Sequence, residues 1–252
     1  MKTSTDIASI RLPLALGVLL LLLAWEVVQP YFASFTRGAG ALQRRGLNAA
    51  LNLGLGAVNA LTISGVFVGL WAVTMAWAET HAFGLLRWLS ISGIWHGLLA
   101  LLLLDAWTYV WHRLNHVFPE LWRFHRLHHS DREMNVTTAN RFHLVEIVLS
   151  STLRLPLLAL LGVRLEELAL YDTLLFAVVQ FQHANIGVPE WLDRTLRCVI
   201  VTPHLHKVHH SVVRAESDSN FSSLFSWWDR LFQTFRLSRE PRRIVFGVDD
   251  SR

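Results

Sequence analysis

From Gly46 to Ala78 the chain carries no charged side chain. That run restricts the fold more than any other feature. A helix crossing a bilayer needs roughly 20 apolar residues, and in lipid the backbone satisfies its own N–H and C=O groups only as a helix or a closed barrel. The run is longer than one span, so tilt or an interfacial end is expected, and Gly65-x-x-x-Gly69 offers a small-residue face for another helix. A second charge-free run, Trp88 to Leu104, continues through Asp105 to His112 and reads as a further span. Leu12 to Trp25, followed by Glu26, reads as the first. Lys2 and Arg11 also suit a signal peptide, but no small-x-small cleavage pattern stands near Gln29–Ser34, so an uncleaved span is expected. Hydrophobic residues make up 52% and charged residues 17%, against a usual charged share of roughly a quarter. The fold class is therefore all-α: a multi-pass membrane helical bundle. Trp71, Trp77, Trp88, Trp107 and Trp111 fall near predicted span ends, where aromatic belts form.

The second half is more mixed. Leu144–Val163 is apolar but holds Glu146, Arg154 and Pro156; Leu168–Phe181 is shorter and holds Asp172. The two read as a helical hairpin, re-entrant or spanning, that leaves one side of the membrane and returns to it at His183. From Pro189 onward the composition suits a water-facing cap, and the charged tail from Arg236 is expected to fray. The whole of 1–252 reads as one integral-membrane domain, with spans mainly in 12–104, the chemistry in 105–235 and a tail in 236–252. Arg37, Arg44 and Arg45, with no acid between Phe35 and Gly46, place that loop in the cytoplasm by the positive-inside rule. Two spans later the chain returns to the same side at His112, where Arg113, Arg123 and Arg126 agree. The formal charge of +4 comes from residues flanking apolar segments, as beside anionic lipid, and no polybasic run suggests nucleic acid.

Thirteen histidines stand against one cysteine, Cys198. An internal disulfide and a Cys-rich metal site are excluded, and any metal site must be built from imidazole. His112 and His116 are i, i+4. His125, His128 and His129 are i, i+3, i+4, and His206, His209 and His210 repeat that spacing, so on helices each set gathers on one face. Three such sets can converge on two metals, and imidazole suits iron, zinc, copper and nickel alike. Asp105, Tyr109, His112 and His116 form one stripe, on which Asp105 and Tyr109 are candidates for support of the ligand imidazoles, Asp105 either accepting a proton from one and fixing its tautomer or pairing with another helix. His143 and Glu146, at i and i+3, are both candidates for a place beside the metals, Glu146 either as a supporting carboxylate or as an occasional ligand. Asn185, Asp218 and Asn220 are candidates for the same supporting role or for loop caps. His96 lies on the opposite face of its helix and reads as a core histidine. His204 is out of register with 206–210, and His81 lies in the far loop; neither is given a role.

Taken together these residues resemble the fatty acid hydroxylase/sterol desaturase superfamily of membrane di-iron oxygenases. The resemblance rests on His112-Arg-Leu-Asn-His116, His125-Arg-Leu-His-His129, Arg141-Phe-His143-Leu-Val-Glu146, His183-Ala-Asn185 and Thr202-Pro-His-Leu-His206-Lys-Val-His-His210-Ser211. Asp218-Ser-Asn-Phe221 and Trp228-Asp-Arg-Leu-Phe-Gln-Thr234 extend it, so that it covers roughly Asp105 to Phe235. It implies a ligand set of His112, His116, His125, His128, His129, His183, His206, His209 and His210 around two irons. Dioxygen would be a co-substrate, and a separate electron donor of cytochrome b5, ferredoxin or rubredoxin type would be a partner. The expected activity is hydroxylation or desaturation of an unactivated C–H position in a lipid, sterol or fatty acyl, entering from the bilayer. Three positions depart from many relatives: Gln182 stands where a second histidine is common, Leu144 where proline is, and Gln233 where glycine is. Gln182 can still hydrogen-bond a metal-bound water. Rival readings are a dinuclear zinc lipid hydrolase, disfavoured by scarce carboxylates, and a metal transporter or sensor, which would hold its ligands at mid-membrane. Acyl-CoA desaturases are a neighbouring alternative.

Overall fold

The computed structural model describes residues 4–35 and 37–249; the expectation on Lys2 lies outside them. Among the described residues the only β pairing is isolated bridges, and the molecule is all-α. Helix α1 (Ser4–Val28) is followed by α2 (Ala41–Thr62), a π-helical turn (Ile63–Phe67) and α3 (Val68–Thr80). A short α4 (Leu85–Trp88) precedes α5 (Gly93–Val117) and α6 (Pro119–His129). A 3-10 turn (Val136–Asn140) leads to the hairpin α7 (Leu144–Leu161) and α8 (Leu165–His183). The cap holds α9 (Glu190–Leu196), α10 (Pro203–His209), α11 (Arg214–Ser217) and α12 (Trp227–Leu231).

Among the described residues three segments are long and apolar enough to cross a membrane: the stretch beginning at Ala41, α5 and α7; the apolar part of α1 within them, Leu16–Val28, where a first span was expected, is shorter. With their exposed Leu, Val and Trp side chains, which water would not tolerate in such number, they make this an integral membrane protein. The further span begins at Gly93, not at Trp88 as the charge-free run suggested. Ser90 and Gly93 both have positive φ, 56° and 59°, so the chain turns sharply between α4 and α5. Trp71 is no belt residue: it is 5% exposed, and its indole N–H donates to the Ser151 carbonyl at 3.1 Å. At the far end of the bundle the backbone of Gly84 presses on Gly162, where a β-carbon would come within 2.5 Å of the neighbour's Cα.

Polar ties hold the bundle to its cap. Glu26, fully buried on α1, accepts from the backbone N–H of Val136 at 2.7 Å and of Asn185 at 2.6 Å. Asp105 accepts from the Phe225 N–H, the Trp228 indole and the Tyr171 hydroxyl at 3.0, 2.7 and 3.2 Å. The described part of the tail, residues 237–249, is packed on the molecule, contrary to the expectation that it frays. Ile244 and Phe246 pack with Met134 and Val208, and Ser211 bridges to Phe246. Its charge pattern concealed two apolar side chains that reach the core.

Candidate metal centre

The turn between α5 and α6 sets the site. Pro119 opens α6 at a position where no N–H is needed, and the fold-back brings His125, His128 and His129 against His112 and His116. His183 arrives at the end of α8, and α10 brings in His206, His209 and the adjoining His210. All nine of these histidines are buried or nearly so.

They divide into two groups, each with ring nitrogens within 4.8 Å of one another. His112, His116, His125, His129 and His209 form one; His128, His183, His206 and His210 form the other. Each i, i+3, i+4 triplet straddles the two. At about 100° per residue, i+4 lies about 40° to one side of i, and i+3 about 60° to the other. So His125 and His129 serve the first group and His128 the second, while His206 and His210 serve the second and His209 the first. The His129 and His210 rings stack where the groups meet, with centroids 4.4 Å apart.

Outward-facing nitrogens are held by fixed acceptors. The Nδ1–H groups of His112, His183 and His209 donate to the carbonyls of Phe221, Val179 and Ser219 at 2.8, 2.7 and 2.7 Å. His125 Nδ1 meets Glu146 Oε1 at 2.8 Å. Such bonds fix the tautomer and leave Nε2 as a bare lone pair. His112 Nε2 and His125 Nε2 are buried with no hydrogen-bond partner among the described residues, which is costly unless something else satisfies them. In the second group Nε2 of His183 lies 3.1 Å from that of His128 and 3.0 Å from that of His206, which is 3.1 Å from that of His210. One imidazole nitrogen offers either a proton or a single lone pair, so hydrogen bonds alone do not account for this chain of contacts. A cation about 2.1 Å from each nitrogen, as imidazole–metal bonds require, would put adjacent ligands about 3 Å apart. Burial first, then the neighbouring imidazoles, holds His128, His129, His206 and His210 well below the ordinary histidine range. The rings are therefore neutral donors at physiological pH. The donor set fits two cations.

The other candidates divide. Glu146 lies against a cluster ring, and Asp218 Oδ1 is 3.4 Å from His116 Nδ1. Gln182 is buried on the cavity wall with its Oε1 unpartnered among the described residues. Asp105 is turned from the imidazoles to the cap. Tyr109 hydrogen-bonds Thr234 at 3.0 Å, and His143 accepts from the Val145 N–H to cap α7. Asn185 clamps the backbone of Phe32, and Asn220 accepts from the Arg236 N–H while donating to the Leu205 carbonyl. His96 pairs with Glu167 at 2.7 Å inside the bundle. His204, partly buried, lies 3.6 Å from the buried Asp193, and His81 stacks on Trp77.

A cavity of about 660 Å³ opens beside the histidines, lined by His112, His125, His128, His183 and His206 at one end. Its wall is mainly apolar, with Ile63, Trp71, Phe142, Leu175 and Phe176 among its members. Asn115, Arg154 and Asp172 also line it and were given no role by the sequence. Asn115 was legible in principle: it follows His112 by three, on the same side of α5.

A buried imidazole set of this kind, at the mouth of an apolar cavity in a helical membrane bundle, defines a class of membrane metalloprotein. The chain belongs to the fatty acid hydroxylase family, whose model matches residues 97–234. It is 32% identical over 152 residues to an ornithine lipid hydroxylase of Rhizobium tropici, covering 60% of this chain and 44% of that protein. It is 28% identical over 151 residues to human alkylglycerol monooxygenase, covering 59% and 32%. With human cholesterol 25-hydroxylase it shares 29% over 145 residues, covering 57% and 52%. The matched segment spans about half or less of these relatives. No solved structure matches the chain significantly.

Proposed function

We propose that the protein is an O₂-dependent membrane oxidoreductase that hydroxylates or desaturates an unactivated C–H position of a lipid at a pair of iron ions. The single observation that carries this is the placement of nine imidazoles, in two groups, beside a lipid-sized apolar cavity. The relatives' names, all lipid hydroxylases or monooxygenases, point the same way. His112, His116, His125, His129 and His209 would hold one iron, and His128, His183, His206 and His210 the other. The irons would supply activation of O₂, which side chains cannot perform. The protein's own part is to position and to exclude: the backbone carbonyls and Glu146 orient the rings, and the apolar wall carries the chain to them dry. Arg37, Arg44 and Arg45 before the second span, and the arginines flanking the histidines, favour a centre on the cytoplasmic side. A separate electron donor would reach it from there.

The test is lipid mass spectrometry of membranes with the wild-type protein and with His128→Ala, under ¹⁸O₂ and a reducing system. Label in a new lipid hydroxyl establishes hydroxylation, and loss of two hydrogens without label establishes desaturation. Stoichiometric zinc in place of iron, with no oxygen consumed, would overturn the reading.

A further inference from the structure

Glu146, Arg154 and Asp172 are the charged side chains, histidines apart, on the cavity wall. Glu146 serves His125. Arg154 and Asp172 do nothing for the metal centre. Arg154 stands eight residues beyond Glu146 on α7, a rise of about 12 Å. Asp172 stands eleven residues before His183 on α8, about 16 Å. Both helices thus put the pair midway along the hairpin, about 10 Å of helix from its tip and farther from the histidines.

A charge pair at that depth is costly. Desolvation offsets most of its attraction, and apolar replacements of similar size are often as stable or more so. Ionisable groups inside a membrane bundle commonly mark a pathway for substrate. Here the pair makes two parallel bonds, at 2.9 and 3.3 Å, and the guanidinium lies 5.2 Å from the centre of the Trp71 ring. The side chains remain 17% and 23% exposed on the cavity wall. Two of the five guanidinium N–H donors are used on Asp172, and the carboxylate keeps further lone pairs. The pair therefore offers both donors and acceptors to an occupant while its net charge is zero. A hydroxyl, which donates and accepts, matches that surface. A free carboxylate would meet the Asp172 charge, and an ammonium the Arg154 charge.

We infer that the Arg154–Asp172 pair is a subsite for the hydroxyl of a neutral lipid alcohol, held so that a carbon remote from that hydroxyl reaches the histidines. The inference rests on the oxygenase reading for what happens at the far end, but the subsite itself is read by binding alone.

The experiment is saturation binding of tritiated hexadecan-1-ol, hexadecane and palmitate to iron-loaded protein in nanodiscs, corrected with empty discs. Wild-type protein binds the alcohol about tenfold tighter than either other probe, the scale on which a built polar site discriminates. Arg154→Met/Asp172→Leu loses that preference while binding hexadecane as before, with its iron content showing that the centre is intact. The charge-swapped Arg154→Asp/Asp172→Arg pair keeps part of it. Equal binding of alcohol and alkane by wild-type protein, or tighter binding of palmitate, overturns the inference without recourse to any variant. Selective alcohol binding with no oxidation under O₂ and reductant would instead sink the oxygenase reading and leave the subsite standing.

Discussion

Glu146 and His143 sit three residues apart at the start of α7 and do unrelated work. Glu146 Oε1 holds the outer nitrogen of His125, so Glu146→Gln should weaken metal retention by about 10–100-fold, the usual cost of losing a partner behind a ligand. Iron per protein after dialysis against a graded chelator series reads this directly. His143 faces its own helix. His143→Ala should leave iron content unchanged and cost about 1 kcal/mol or less through the lost cap, measured by thermal unfolding. The sequence put both residues beside the metals because spacing alone does not tell an inward turn of backbone from an outward one. Asp105 misled in the same way: its place on the histidine stripe was right, but its carboxylate is claimed by Phe225, Trp228 and Tyr171 from segments more than sixty residues away.

At the scale of elements, α12 ends in a turn whose left-handed position is held by Gln233, where the resemblance leads one to expect glycine. Thr234 N–H donates to the Asp229 carbonyl at 2.8 Å and Gln233 N–H points to that of Arg230, with Gln233 at φ 59°. This is the Schellman arrangement, in which glycine is the usual occupant of the left-handed position. Gln233→Gly should therefore raise stability by about 0.5–1 kcal/mol, the penalty of an L-residue there less the added flexibility of glycine when unfolded. A rise in thermal midpoint with unchanged iron content is the expected result. Helices were the most legible part of the sequence. The charge-free runs located the stretch beginning at Ala41 and α5, whereas α7, with Glu146 and Arg154, read equally as re-entrant or spanning; the i, i+3, i+4 spacing located the water-facing helices. The division of each triplet between two groups was hidden because it depends on which neighbours surround α6 and α10. The break at 89–92 was hidden because Leu89, Ser90, Ile91 and Ser92 carry no charge and so extend the charge-free run.

Across the whole molecule, the C-terminal strap joins bundle and centre. Phe246 packs near Val208, and Val208 lies between the ligand candidates His206 and His209. Phe246→Ala should cost about 3 kcal/mol as a core truncation and also speed iron loss, whereas a truncation felt only locally would change stability alone. Removing iron from the intact protein should lower its thermal midpoint by roughly 5–10 °C, if free metal had stood near 100 times its dissociation constant. Calorimetry before and after chelation checks this.

Both histidine groups draw on α10, the one through His209 and the other through His206 and His210. Neither set is complete while the ribosome is still short of that helix: the first then has four of its five rings and the second only His128 and His183. A metal held by the second group would therefore have to arrive after α10 has been made. A nascent chain stalled before residue 206 should hold metal more weakly, and fewer ions of it, than the finished chain.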